Sequence, residues 1–87
     1  MMAQLDILYF AWVREAIGKD GEQLDHPGGD MTVAGLIDLL RGRGEGYVQA
    51  FEQPERVRAA LDHAFVPLET PLGDAHELAL FPPVTGG

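Results

Sequence analysis

Eighty-seven residues, with 14 acidic side chains against six basic ones and no cysteine, allow one small domain of net charge −8. That length has no room for a nucleotide-binding domain joined to a substrate domain, which argues against a self-sufficient ATP- or NAD-dependent enzyme. The acidic balance disfavours nucleic acid and anionic membrane surfaces and suits a partner with a basic docking face, while the missing thiols remove disulfides, thiolate metal sites and a thiol nucleophile.

From the N-terminus, Met1 to Asp6 carries no basic segment, and Asp6 interrupts the apolar run, so no signal peptide is expected. No stretch approaches the ~20 apolar residues of a membrane span, and the expected location is the cytoplasm. Gln4 to Phe10 reads as a strand with Leu5, Ile7 and Tyr9 on one side and Asp6, Leu8 and Phe10 on the other. Because Leu8 and Phe10 are also apolar, both faces of this strand are expected to be at least partly covered. From Ala11 the period changes. Val13, Ala16 and Ile17 form the stripe of a short helix that stops at Gly18. Glu22 to Asp25 is a brief second strand after the turn Lys19-Asp20-Gly21.

His26-Pro27-Gly28-Gly29-Asp30 breaks the chain before its clearest helix. Thr32 is the expected N-cap, Val33, Leu36, Ile37 and Leu40 the buried stripe, and Gly42 and Gly44 the stop. Residues 42 to 56 read as a polar connection that Tyr47, Val48 and Phe51 pin to the core, with Pro54 limiting any helix there. Val57 to Leu61 and Ala64 to Val66 are strand segments around an Asp62-His63 turn, and Glu77 to Phe81 is the last strand. This order points to an α+β fold, a mixed sheet with one main helix packed on one face.

The chain then ends Pro82-Pro83-Val84-Thr85-Gly86-Gly87. Two prolines favour an extended, polyproline-like path, and six extended residues span roughly 20 Å. The terminal glycines have no side chains and could thread a narrow channel. We therefore divide the chain into a domain over residues 1–81 and an extended tail over 82–87. The tail reads as a delivery arm whose working group is the carboxylate of Gly87.

Leu80-Phe81-Pro82-Pro83-Val84-Thr85-Gly86-Gly87 resembles the C-terminal signature of the small subunit of molybdopterin synthase, a ubiquitin-like sulfur-carrier family. Leu8-Tyr9-Phe10-Ala11-Trp12-Val13-Arg14-Glu15 resembles that family's FFA-x-x-RE opening, and Thr32-Val33 with Leu36 the start of its main helix. Ala59-Ala60-Leu61-Asp62-His63 is similar to its A-V-N-x strand and turn, with Asp62 where asparagine is common. The resemblance implies a ubiquitin-like β-grasp fold. It implies that an E1-like adenylating enzyme uses ATP in trans to activate Gly87, that a sulfur donor protein converts it to a thiocarboxylate, and that the chain itself binds no cofactor. It also implies a large synthase subunit as partner, assembled as a heterotetramer, which takes the sulfur for cyclic pyranopterin monophosphate. Phe10, Phe65 and Phe81 are the implied partner-binding side chains; from the residues alone each fits a core position equally well. Arg14 could add a polar contact, though a solvated helix position suits it better.

The sequence holds no phosphate-binding glycine loop, no dinucleotide fingerprint and no paired histidine spacing for a metal. His26, His63 and His76 fall in separate loops or turns, and no metal site is expected. Asp62 with His63 reads as a turn, Glu52 and Glu55 as solvated, and Gly28-Gly29 as a loop whose use for anions Asp30 opposes. Three alternatives stay open: a carrier for thiamine or cysteine synthesis, a ubiquitin-like protein modifier, and an interaction module with an idle tail.

Overall fold

The computed structural model describes residues 3–83. Its elements run β1 (Gln4–Tyr9), α1 (Ala11–Ile17), β2 (Gly21–Asp25), α2 (Val33–Arg41), α3 (Glu45–Ala50), β3 (Arg58–Leu61), β4 (Ala64–Val66) and β5 (Glu77–Phe81), with a 3₁₀ turn at Pro54–Arg56. The five strands form one sheet in the order β2-β1-β5-β3-β4. β1 and β5 are parallel at its centre, and the other neighbours are antiparallel. Alternation along the strands sends Leu5, Ile7, Tyr9, Leu78 and Leu80 to one face, where the helices cover them in a single core. Burial of such side chains stabilises by about 1.5–3 kcal/mol each before the entropy of ordering them is counted.

α2 forms as its stripe dictates, with Val33, Leu36, Ile37 and Leu40 all buried. Its orphan amides are satisfied locally: the Thr32 hydroxyl accepts from Gly35 N–H at 3.0 Å, while Val33 and Ala34 donate to the carbonyls of Thr70 and Leu68. α1 ends at Gly18 in the left-handed conformation, whose N–H returns to Arg14.

The 42–56 connection departs from the sequence reading. It contains α3, despite glycines at 44 and 46, because tertiary packing overrides the weak local propensity. Gly46 is needed there: a Cβ would sit 2.5 Å from the Ala16 carbonyl oxygen and 3.2 Å from Ile17 Cα, so only glycine lets α3 lie this close to α1. Tyr47 and Phe51 are buried as expected, but Val48 points outward and is 46% exposed. Pro54 opens the 3₁₀ turn rather than closing a helix.

At the edge of the core the sheet holds a carboxylate among hydroxyls. Glu22 Oε2 accepts from Tyr9 at 2.8 Å and Tyr47 at 2.6 Å, and Oε1 lies 3.1 Å from Arg43 and 3.4 Å from Lys19. Burial alone would raise the Glu22 pKa, but the two tyrosine hydroxyls and the two cations outweigh it and hold it below the ordinary value. Burial first, and then the hydrogen bond to Glu22, pushes the Tyr9 hydroxyl well above the usual tyrosine range. The cluster ties α3 to β1 and β2. A lowered carboxylate pKa stabilises the fold above the unfolded value, about 4.3, and that contribution is lost as pH falls through the folded value. A raised tyrosine pKa stabilises it below about pH 10, with loss as pH rises beyond. Glu22→Gln is expected to cost about 1–3 kcal/mol at neutral pH and to flatten the acid side of the stability profile. Urea titrations across pH check this, and an unchanged acid limb would contradict it.

Candidate functional site

The opposite face of the sheet is covered by no element among the described residues. β1 is an interior strand, as expected, and its second face is only partly covered: Leu8 is half-buried, and Phe10 is 44% exposed. The register sorts this outer face into three rows. At one end Asp6 pairs with Gln23 and Glu77, and the Asp62 N–H donates to the Glu77 carbonyl. Across the middle run Leu8, Ala79, Ala60 and Phe65, each the register partner of the next. At the other end Phe81 pairs with Arg58, and the Phe10 N–H donates to the Leu80 carbonyl at 3.2 Å. The face is acidic at one end, apolar through its centre, and carries one arginine where the tail begins.

The three phenylalanines singled out from the sequence therefore share this face, and none is core. Phe65 is 80% exposed and Phe81 half-buried, with their rings 5.4 Å apart. Leu8, Phe10, Ala60, Phe65, Ala79 and Phe81 line an open depression of about 460 Å³, which His63 and Glu77 close at the acidic end. Large contiguous apolar surfaces on small domains are commonly sites of association. After Phe10 the chain turns at Ala11, the first residue of α1, whose φ of 53° is a left-handed conformation that costs a non-glycine residue about 1–2 kcal/mol.

The tail starts on the same face. Pro82 and Pro83 are half-buried, and Pro83 lines a neighbouring depression of about 430 Å³ with Arg58, Phe65 and Phe81. The first two tail residues thus stay against the sheet instead of standing clear of it. Val84, Thr85, Gly86 and Gly87 lie outside the described residues.

The remaining sequence candidates are dispersed. Arg14 is exposed and 3.8 Å from Asp20. Asp62 and His63 form the β3–β4 turn with φ values of 47° and 74°. Asp62 Oδ1 accepts the N–H groups of His76 at 2.9 Å and Glu77 at 3.0 Å, bonds that hold its carboxyl below the usual range. This gives the Asp62-His63 pair a structural task. His26 and His76, far apart in sequence, line one depression of about 540 Å³. Among the described residues no three histidine, aspartate or glutamate side chains gather as a metal site would need. Gly28 donates its N–H to His26 Nδ1 within a loop, and Glu52 and Glu55 are exposed.

Sequence reasoning missed Leu8, Ala60 and Ala79 as parts of one surface, and Arg58 altogether. The available signal was the alternation of apolar residues on both sides of β1 and β5. Reading it fully needs the strand order, which brings the second apolar side of β1 next to that of β5.

Comparisons with known proteins agree with this geometry. The model of the ThiS family matches residues 7–87. A molybdopterin synthase sulfur carrier subunit from Haemophilus influenzae is 36% identical over 84 residues, covering 95% of this chain and 99% of that protein. Among solved structures, a Pyrococcus furiosus chain, proposed to be molybdopterin converting factor subunit 1, superposes with a TM-score of 0.71 at 25% identity over 94% of this chain and 99% of its own. Small archaeal modifier protein 1 from Haloferax volcanii gives 0.69 at 26% identity over 94% and 99%. The ubiquitin-like fold implied by the resemblance is the fold observed. With its motifs, architecture and nearly full-length matches in accord, the chain belongs to the ThiS family and groups there with the molybdopterin synthase sulfur carrier subunits.

Proposed function

We propose that this protein is the sulfur carrier subunit of a molybdopterin synthase and that Gly87 carries the sulfur. The observation that bears the reading is the terminal octet Leu80–Gly87 on a chain 36% identical to such a subunit, whose strand β5 borders an exposed apolar face. A carboxylate is a poor electrophile. An E1-like enzyme would therefore join Gly87 to AMP from ATP, releasing pyrophosphate; sulfur from a donor protein would displace AMP and leave a thiocarboxylate. The large subunit would receive the tail and pass the sulfur to cyclic pyranopterin monophosphate, with two transfers completing the dithiolene. In this scheme the chain is a co-substrate, and the catalytic side chains belong to its partners.

The apolar outer face supplies the docking surface in this proposal, with Phe65 at its most exposed point. Phe65→Ser is expected to weaken binding to the large subunit by at least roughly thirtyfold, as loss of a central aromatic anchor does, while leaving the melting temperature within a few degrees. Calorimetric titration and thermal denaturation check both halves.

The likeness to an archaeal modifier protein favours a second reading, conjugation of Gly87 to lysines of other proteins. Complementation separates the possibilities. The molybdopterin reading expects rescue of molybdoenzyme activity in cells lacking their own small subunit, without rescue of thiamine or cysteine auxotrophs. Lysine-linked adducts without molybdoenzyme rescue would favour the modifier.

A further inference from the structure

Most of the basic side chains already have partners. Arg14 lies by Asp20, Arg41 by Asp38, and Lys19 and Arg43 by Glu22, while Arg56 lies over the Trp12 ring at 6.0 Å. Arg58 differs. Among the described residues it meets neither an acidic side chain nor an aromatic ring, in a chain with 14 acids to six bases. Its Nη1 donates to the carbonyls of Glu55 at 2.8 Å and Val57 at 3.2 Å, which fixes the guanidinium at the edge of β3 and leaves Nη2 and Nε for another acceptor. The side chain is exposed, its backbone pairs with Phe81, and it lines the depression that holds Pro83.

We propose that Arg58 is the orientation-setting residue of the docking face and pairs with a carboxylate on the rim of the partner subunit that receives the tail. The inference rests on the docking reading above. Apolar contact is non-directional, so the centre of the face alone would allow a partner to sit in either sense along the strands. The charges break that symmetry: Asp6, Asp62 and Glu77 stand at one end and Arg58 at the other. A partner acidic beside its tail channel and basic at the far side accepts one orientation, the one that aims the tail inward; reversed docking sets like charges together.

The test is calorimetric and kinetic titration of the full chain with the large synthase subunit of the same organism at 50 mM and 500 mM NaCl. Arg58→Glu is expected to raise Kd about tenfold or more at low salt, mostly through slower association, with the difference shrinking below about threefold at high salt. Arg58→Lys is expected to stay within about threefold at both. Since Arg58 is exposed, equal melting temperatures accompany these results. Reversing one rim carboxylate of the large subunit to lysine should restore the affinity of the Arg58→Glu chain. If Arg58→Glu binds like the parent at low salt while Phe65→Ser is weakened, the role of Arg58 is overturned and the docking face stands. If Phe65→Ser also binds like the parent, the docking reading itself fails.

Discussion

A chain lacking Gly87, or extended by one residue beyond it, is expected to form no detectable molybdopterin in a reconstituted system that supports the parent. Adding or removing one extended residue displaces the terminal carboxylate by about 3.3–3.6 Å. Reactions that rely on a positioned group lose roughly a hundredfold for a displacement near 1 Å, so either change should remove both activation and transfer. Stability should not follow. Among the described residues, Leu80 is the last that is fully buried, and it belongs to the core that the sheet shares with the helices. Melting temperatures within about 2 °C of the parent would locate the defect in the tail's chemistry, because a 1 kcal/mol loss in a domain of this size moves the midpoint by about 4–8 °C. Product formation by the extended chain would contradict the role given to Gly87.

Phe51→Ala carries the second large effect, on folding. Phe51 is fully buried at the C-terminal end of α3, where it closes the core beside Tyr47 and Ala50. Truncating a buried phenylalanine costs about 3–5 kcal/mol, a large share of the 5–15 kcal/mol that holds a typical domain together. The expected drop in melting temperature is roughly 12–40 °C, reaching a chain with no cooperative transition. Val48→Ala, three residues away on the exposed side of α3, is expected to change stability by less than about 0.5 kcal/mol. Circular dichroism melts of the two variants test the orientation of the helix. Equal shifts would mean that α3 does not present these faces.

Much of the architecture was legible because its signals are local. Thr32 before a 3.6-period stripe, Gly18 after another, and alternation in β5 each set an element without help from the rest of the chain. α3 was not legible, since its glycines argue against helix and the reason for its position is the close approach of Gly46 to α1. Val48 shows the same limit. Its apolar side chain joined Tyr47 and Phe51 in the reading, yet those two are buried and Val48 is 46% exposed. The Glu22 cluster was hidden because its members come from positions 9, 19, 22, 43 and 47 and meet only after β1, β2 and α3 assemble.

The candidate site divides in the same way. The tail's composition could be read directly, and the resemblance supplied Phe10, Phe65 and Phe81. Whether those rings were core or surface depended on the strand order β2-β1-β5-β3-β4, which lays them on one uncovered face. Arg58 was legible only as one position of the Val57–Leu61 strand segment. The role proposed for it comes from the register with Phe81 and from the lack of an acidic side chain beside it among the described residues, both properties of the assembled sheet.

Sulfur on Gly87 is read out by intact-mass measurement after incubation with the adenylating enzyme, ATP and a sulfur donor. The expected gain is about 16 Da, the exchange of one oxygen for sulfur, confined to a C-terminal peptide that contains Gly87. An unchanged mass in a reconstituted system that forms molybdopterin with the parent chain would contradict it.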